Sequence, residues 1–247
     1  MPASLTAEIP PYVLTGEKRP GPACVVCEHA ASAIPAQLAD LGLAPEHRLS
    51  HAVWDIGAAA LAQQLAARLN APLVTAGHSR LVLDLNRPPD APDAMPEMTE
   101  VIPVPGNRGL CETARAARID ALYQPFHDTV AAMLDAVAAP VLITVHSFTP
   151  VWKGQARSAE IGLLHDADPG LAEAMLDRAA GGFDVKLNVP YSASDGVTHT
   201  LARHGTARGI PNVMIEVRND LLADDTAIGR MADVLSAMLV PALEQRA

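Results

Sequence analysis

Residues 141–150 read VLITVHSFTP, and this stretch decides the fold. Five apolar or β-branched residues run directly into a histidine and a serine, and the run is too short to be a membrane-spanning helix. It is typical of a strand that is buried on both faces, as at the centre of a parallel sheet. Because ligands of open α/β sheets bind just beyond the carboxyl ends of the strands, His146 and Ser147 lie where a site is expected. A lone histidine there is more often a core residue bonded to backbone, so the interpretation depends on the other strands.

Strand-like and helix-like patterns alternate along the rest of the chain. Apolar runs typical of strands, and helical periodicity between them, occur at residues 23–27, 58–69, 71–76, 113–138, 159–164, 169–179, 185–189, 212–217 and from 219 onward. Residues 79–87, SRLVLDLNR, alternate apolar and polar side chains as a strand does. This alternation predicts one α/β domain over residues 22–247, with a mostly parallel sheet and helices on both faces. Residues 1–21 are rich in proline and are predicted to form an irregular arm.

The composition limits the classes of partner. The formal net charge of −10 disfavours nucleic acid but allows an anionic small molecule, since a few arginines can dominate a pocket. No window of about 18 uncharged apolar residues predicts a membrane span, and the polar start MPASLTAEIP is unlike a signal peptide. We therefore expect a cytoplasmic protein; the oligomeric state stays open. Cys24 and Cys27 form a C-x-x-C pair, but inside a predicted strand rather than at the helix N-terminus typical of redox pairs.

Ionisable side chains stand at three predicted strand ends: Glu28 and His29, then His146, then Glu216. Because the carboxyl ends of parallel strands face the same side, these groups are expected to converge. Two histidines and a carboxylate suit a divalent transition metal such as Zn²⁺. Asp55 is the natural third ligand, although an aspartate before a helix is also a preferred N-cap. Glu28 is the alternative third ligand, or a partner that orients a histidine.

Glu216 lies inside the apolar run VMIEV, where an unpaired carboxylate is costly to bury. Beside a metal-activated water it would act as a general base, taking a proton as water attacks a carbonyl and passing it to the leaving amine. The alternative is a buried ion pair with Arg218 or Arg80 that has no chemical role.

Arginines also cluster near these stretches, and arginine binds carboxylates through two parallel hydrogen bonds. Arg80 and Arg87 bracket the LVLDL run, with Asn86 beside Arg87, so a substrate with one or two carboxylates is expected. Arg203 and Arg208 are interpreted as surface charges. His199 and His204 are five residues apart and are interpreted as structural or as supporting residues behind the site, with a place in the pocket as the alternative. Nothing marks Ser147 as an activated nucleophile.

Four motifs together resemble the N-formylglutamate amidohydrolase family: SRLVLDLNR, the strand ending in HSF, the NVPYS turn and IPNVMIEVRNDLL. The resemblance covers roughly residues 22–240 and implies a zinc-exopeptidase-like fold, as in zinc carboxypeptidases and aspartoacylase, with a mixed sheet between helices. It also implies hydrolysis of N-formyl-L-glutamate to formate and L-glutamate, an activity that belongs to histidine degradation. By position, the resemblance assigns zinc to His29, Asp55 and His146, catalysis to Glu216, and substrate binding to Arg80, Asn86 and Arg87. Ser147 and Arg218 are also predicted to contact the substrate.

One position departs from the carboxypeptidase pattern. Those relatives use H-x-x-E for their first two ligands, whereas His29 is followed by Ala30, Ala31 and Ser32, so one ligand must come from elsewhere, and Asp55 is predicted. Two further hypotheses stay open. One is a zinc carboxypeptidase or murein-peptide amidase. The other is a protein without metal or activity that binds an anionic small molecule.

Overall fold

A seven-stranded sheet is the central layer of the computed structural model, which describes residues 5–6, 8–99, 101–179 and 182–245. Within those ranges the strands are β1 (Tyr12–Thr15), β2 (Ala23–Cys27), β3 (Leu73–Ala76), β4 (Met98–Thr99), β5 (Ile102–Pro103), β6 (Val141–Phe148), β7 (Val151–Trp152), β8 (Gln155–Ala156), β9 (Ile161–Leu164), β10 (Val185–Leu187) and β11 (Asn212–Arg218). The α-helices there are α1 (Ala58–Arg68), α2 (Glu112–Arg118), α3 (Gln124–Asp135), α4 (Gly170–Leu176) and α5 (Asp225–Glu244).

The order of strands in the large sheet is β1-β3-β2-β6-β11-β9-β10. The four strands β3, β2, β6 and β11 are parallel, whereas β1 and β9 run antiparallel to their neighbours β3 and β11. All eight residues of β6 are buried, as expected for the central strand. The prediction of a mostly parallel mixed sheet is therefore confirmed, and the carboxyl ends of β2, β6 and β11 lie side by side.

Apolar cores fill both faces of the sheet. One core packs α1, α4 and α5 against alternate residues of the strands, such as Val25 and Ile143. The other packs α3 against the intervening residues, such as Val26 and Leu142. The three-layer arrangement follows from strands that are apolar at every position, because each face then needs its own helical cover.

Two of the predicted elements require correction at their ends. The arm predicted as irregular contains β1, which pairs antiparallel with β3 at the edge of the large sheet, a place where nearby prolines are tolerated. Residues 1–4 and 7 of that arm lie outside the described residues. The helix predicted over residues 113–138 is present as α2 and α3, joined by a wider turn at Ile119–Tyr123. Pro125 does not break it, since Tyr123 and Gln124 before it keep helical backbone angles and the wider turn directly precedes it.

The segment of residues 79–87 is a buried loop, so the prediction of a strand there was wrong. Four of its carbonyl groups accept hydrogen bonds from side chains: Leu81 from Asn107 (2.8 Å), Val82 from Arg118 (2.8 Å), Leu83 from His78 (3.3 Å) and Leu85 from His127 (3.0 Å). A buried backbone must be hydrogen-bonded, and here these side chains do what a neighbouring strand would do. The loop is thereby held rigidly at the edge of the cleft described below.

Helix α5 is long and apolar enough to cross a membrane by length and composition alone. Core helices of water-soluble proteins meet the same criterion, so this is weak evidence for a span. In the structure α5 packs against α1 and α4, and its buried residues include Ile228, Leu235 and Leu239. Packing on the sheet accounts for its apolar character.

Candidate metal centre and active-site cleft

Three side chains converge at the carboxyl ends of β2 and β6. His29 follows β2, His146 lies in β6, and Asp55 lies in the loop before α1; all three are buried. The three ligand atoms are Nδ1 of His29, Nδ1 of His146 and Oδ2 of Asp55. The two nitrogens lie 3.2 Å apart, and the Asp55 oxygen lies 3.3 Å from that of His29 and 2.9 Å from that of His146. The parallel pairing of β2 with β6 brings His29 and His146 together across 117 residues of sequence.

The size of this triangle fits a tetrahedral zinc ion. Nitrogen and oxygen ligands lie about 2.0–2.2 Å from zinc, and a tetrahedral edge is about 1.63 times the bond length, so neighbouring ligand atoms lie roughly 3.3–3.6 Å apart. The distances of 2.9–3.3 Å between His29, Asp55 and His146 are slightly shorter and of the right order. Three protein ligands leave a fourth position for water or substrate, as in catalytic zinc sites.

A second pair of carboxylates lies behind the two histidines. Nε2 of His29 lies 2.7 Å from Oδ1 of Asp84, and Nε2 of His146 lies 3.1 Å from Oε2 of Glu28. His29 is hydrogen-bonded to its carboxylate, whereas His146 lies close to Glu28 without hydrogen-bond alignment. A proton on each Nε2, next to these carboxylates, leaves the lone pair of each Nδ1 directed at the centre of the triangle. When both Nδ1 atoms are unprotonated, three buried acceptors face one point, and a divalent cation between them would remove their mutual repulsion. This arrangement is what a divalent metal requires, and it places Asp55 in the ligand triangle and Glu28 behind His146.

The pKa values of the buried side chains show that the site stabilises a positive charge placed among its carboxylates. Burial alone would lower the pKa of His146, but Glu28 and Asp55 raise it well above its ordinary value. Burial alone would raise the pKa values of Asp55 and Asp84, yet the charge of His29 brings both below their ordinary range. The pKa of Glu28 is also lowered, because His146 outweighs the effect of burial. The carboxylates are therefore ionised at neutral pH, as metal binding requires.

Asp55 is aligned by contacts that do not involve helix capping. The N-cap of α1 is Gly57, in the left-handed conformation, and the Asp55 side chain makes no capping bond to that helix. The amide N–H of Ser147 donates to Asp55 Oδ2 (3.3 Å), and the Arg80 guanidinium donates to Asp55 Oδ1 (3.4 Å) and to Asp84 Oδ2 (3.3 Å). Arg80 thus fixes two carboxylates at once while one side faces the cleft.

Glu216 lies beside this triangle in β11, in register with His146 of β6. It is 5% exposed and lines the cleft, and its Oε2 has no hydrogen-bond partner among the described residues. No ion pair joins it to Arg218 or Arg80, each of which binds other carboxylates. Burial, with a smaller contribution from the charge of Asp55, raises the pKa of Glu216 to about 7. A carboxylate with such a pKa is able both to accept and to return a proton near neutral pH.

Other predicted residues occupy the same cleft, whose volume is about 810 Å³. Arg87 lies at its edge and donates to Asp93 (2.8 Å). Asn86 lines the cleft, but its side chain donates to the carbonyl of Val197 and accepts from the N–H of Thr200 (3.0 Å), so it holds that segment in place. Ser147 also lines the cleft; its hydroxyl donates to the carbonyl of Ile56 (2.8 Å), and no base activates it among the described residues.

Arg218 does not lie in the cleft, so its prediction as a substrate-binding residue requires correction. Its guanidinium donates to Asp220 (2.8 Å) and to Glu160 (3.5 Å), and it also donates to the backbone carbonyl of Arg157 (3.3 Å). Acidic side chains beyond the strand end hold this guanidinium away from the cleft.

His199 and His204 lie in a separate cluster that does not line the cleft. Nε2 of His199 lies 2.6 Å from the hydroxyl of Tyr123. Nε2–H of His204 donates to Nδ1 of His127 (2.9 Å), and His127 in turn donates to the carbonyl of Leu85. Both therefore lie behind the loop of residues 79–87. As predicted, Arg203 and Arg208 also lie outside the cleft, with Arg208 paired to Asp135.

Several cleft residues had no predicted role: His51, Asp84, Arg157 and Tyr191. Asp84 has the same sequence feature as Glu216, since both are carboxylates inside an apolar run, and it could have been found by that feature. His51 Nδ1 lies 3.9 Å from Asp55 Oδ1. Arg157 and Tyr191 come together only through the tertiary fold, across 34 residues.

Cys24 and Cys27 do not form a redox pair. Cys24 belongs to the core on one face of the sheet and Cys27 to the core on the other face. Burial raises the pKa of Cys24 to about 12, so its thiol stays protonated at neutral pH.

Comparison with known proteins identifies the family. A family model for N-formylglutamate amidohydrolase matches residues 21–223, whereas no curated protein matches. A solved structure of a gene product from Agrobacterium tumefaciens is 44% identical and covers 95% of each chain, with a TM-score of 0.93. N-formylglutamate amidohydrolase from Ralstonia eutropha JMP134 is 19% identical over 96% of this chain and 98% of that one, with a TM-score of 0.68, and so shares the fold. Because the family model covers most of its length, this chain belongs to the N-formylglutamate amidohydrolase family and is an amidohydrolase.

Proposed function

We propose that this protein hydrolyses the amide bond of a small N-acyl amino acid in a metal-dependent reaction. The leading substrate is N-formyl-L-glutamate, which would give formate and L-glutamate. Family membership supports the substrate, and the triangle of His29, Asp55 and His146 carries the claim of metal dependence. No other group of His, Cys, Asp or Glu among the described residues has the geometry of a metal site.

The residues of the cleft suit this reaction. A Zn²⁺ ion bound to the triangle would supply Lewis acidity, which activates water and polarises the acyl carbonyl. Glu216 accepts a proton from the attacking water and delivers it to the leaving nitrogen, so that the C–N bond breaks while the new C–O bond remains. Asp84 and Glu28 keep both histidines oriented through the reaction.

The arginines of the cleft suit an anionic substrate. Arg87 and Arg80 both face the cleft, but Arg80 already contacts Asp55 and Asp84. Its role is to align these carboxylates and to place positive charge near the acyl oxygen, while Arg87 is the more available of the two for a substrate carboxylate. The partner of Arg87 is Asp93, whose side chain is 60% exposed, so a substrate carboxylate can displace it from Arg87 into solvent.

The test measures the metal content of the purified protein together with formate release from N-formyl-L-glutamate. We expect about one zinc ion per chain, formate release that a chelator abolishes, and recovery when zinc is restored. A protein that holds no metal and gains no activity from added zinc would contradict the proposal and favour a binding protein. The cleft is large enough for longer acyl groups, so the substrate panel includes N-acetyl- and N-succinyl-glutamate. Cleavage of peptides with a free carboxylate, without cleavage of N-acyl amino acids, would indicate a carboxypeptidase or peptide amidase instead.

Three statements stay predictions: that the partners include neither nucleic acid nor a membrane, that the protein is cytoplasmic, and that it takes part in histidine degradation. They rest on net charge, the sequence and the family resemblance.

A further inference from the structure

Arg157 occupies an unusual position at the edge of the cleft. It follows the hairpin of β7 and β8, and its Cζ lies 5.4 Å from the ring centre of Phe148, 5.0 Å from that of Trp152 and 4.9 Å from that of Tyr191. The chain has only three Phe, two Trp and three Tyr residues, and one of each surrounds this guanidinium. Such packing fixes the plane of an arginine and lowers the entropy that it would lose on binding a ligand.

The backbone of Arg157 is fixed as firmly as its side chain. Its N–H donates to the carbonyl of Pro150 (2.8 Å), and its carbonyl accepts from Arg218 (3.3 Å). The side chain donates from Nη1 to the carbonyl of Thr149 (3.3 Å) and from Nη2 to the hydroxyl of Tyr191 (3.0 Å). Both acceptors are neutral, and these two bonds leave three of the five guanidinium N–H groups for another partner.

The distribution of charge distinguishes Arg157 from the other two arginines of the cleft. Arg80 lies between Asp55 and Asp84, and Arg87 is paired with Asp93. Arg157 has no carboxylate within ion-pair distance among the described residues, yet it is partly buried and lines the same cleft as Glu216. A fixed, partly buried cation without a counter-ion is suited to an anion that arrives from solution, and a planar guanidinium is suited to a carboxylate.

The geometry points to Arg157 as a carboxylate-binding subsite on the hairpin side of the cleft, which selects substrates by a carboxylate of their amino-acid part. This inference deepens the proposed function and rests on it for the identity of the substrate. Arg218, predicted to contact the substrate, instead supports this subsite by holding the backbone of Arg157.

The first test measures binding, which does not depend on turnover. Glutarate carries two carboxylates at the spacing found in glutamate, and in its diamide, glutaramide, both groups are neutral. Isothermal titration calorimetry compares both ligands on the wild type, Arg157→Gln and Arg157→Lys. The matched control is Arg230→Gln, since Arg230 also packs over a ring, that of Phe183, but lies outside the cleft.

We expect Arg157→Gln to weaken glutarate binding by about 10- to 100-fold, the loss typical of a hydrogen-bonded charge pair, and glutaramide binding by much less. Arg157→Lys recovers part of this loss, and Arg230→Gln behaves as the wild type. Equal weakening of both ligands would show that Arg157 only stabilises the hairpin and would overturn the inference. Unchanged glutarate binding would overturn it as well.

The second test measures hydrolysis of N-formyl-L-glutamate and of its two monoamides, one neutral at the side chain and one at the α-carboxylate. In Arg157→Gln we expect KM to rise about 10- to 100-fold while kcat stays within about threefold. The substitution is expected to raise KM for only one of the two monoamides, namely the one that still carries the carboxylate bound by Arg157. The outcomes separate the two proposals. If the wild type hydrolyses none of these compounds but binds glutarate through Arg157, the proposed function fails and the subsite stands. If hydrolysis is normal and insensitive to Arg157→Gln, the subsite fails and the function stands.

Discussion

Nε2 of His29 lies 2.7 Å from Oδ1 of Asp84, although 55 residues separate them in the sequence. Asp84 is itself fixed, because its Oδ1 accepts the N–H of Asn86 (2.9 Å) and its Oδ2 faces Arg80 (3.3 Å). This carboxylate keeps the proton of His29 on Nε2 and leaves Nδ1 free to bind a cation. The loop of residues 79–87 therefore takes part in the metal centre without contributing a ligand.

Replacing Asp84 with Asn is expected to weaken zinc binding by about 10- to 100-fold, because the histidine loses the partner that fixes its tautomer and orientation. Competition with a chelator of known affinity measures the change. Asp93→Asn is the matched control, since Asp93 follows the same loop but contacts Arg87 at an exposed position. Equal zinc affinity in Asp84→Asn and the wild type would contradict the assigned role of Asp84.

Substitutions of Glu28 and of Asp55 are expected to have different effects on zinc binding. Asp55→Ala removes an atom of the ligand triangle, so zinc content falls well below one per chain. Glu28→Gln leaves all three ligand atoms and removes only the charge behind His146, so the protein still binds one zinc ion with lower affinity. Circular dichroism confirms that both variants are folded. The reverse order of effects would make Glu28 the ligand and Asp55 its support.

The convergence of His29, His146 and Glu216 could be predicted because it follows from strand direction alone. Parallel strands end on the same side, and each of these residues stands at the end of a recognisable apolar run. The supporting residues could not be found in this way. Asp84 lies in a loop whose alternating side chains are typical of a strand, and the loop is held by Asn107, Arg118 and His127 from distant parts of the chain.

The residues of the carboxylate-binding subsite could not be predicted from the sequence either, as Arg157 and Arg218 show. Arg218 has the sequence position expected of a substrate-binding residue, two places after Glu216. Its guanidinium instead contacts Asp220 and Glu160, which depends on how the chain turns after β11. Arg157 lies in a polar turn without any motif, and the three aromatic residues around it are close only in the folded protein.

Glu216→Gln is expected to lower kcat by about 10²- to 10⁴-fold, the usual contribution of a general base, while zinc content stays at the wild-type level. Gln has the same shape but cannot accept the proton of water. Glu160→Gln is the matched control, because Glu160 lies near the same strand but contacts Arg218 outside the cleft. Substantial hydrolysis by Glu216→Gln would exclude it as the base.

The histidine cluster behind the loop of residues 79–87 predicts how stability depends on pH. Burial, with the charge of His204 second, lowers the pKa of His127 to about 2; burial, with Arg203 second, lowers that of His204 to about 4. His199, Tyr123, Arg203 and Arg208 are the other titratable groups around them. The Glu28 carboxylate raises the pKa of His204, but by less than burial and the two arginines lower it.

In the unfolded chain both imidazoles titrate at their ordinary pKa of about 6.5, so between pH 6.5 and 4 the unfolded state binds more protons than the folded state. The free energy of unfolding therefore falls as the pH falls, and each of the two histidines contributes about 2 kcal/mol of this loss between pH 7 and pH 5. His127→Gln keeps a donor for the carbonyl of Leu85 and removes one titrating group. Urea unfolding of the metal-free protein at pH 7, 6 and 5 is expected to show a shallower loss of stability in His127→Gln than in the wild type. Parallel curves for the two proteins would mean that His127 is not held neutral by the fold.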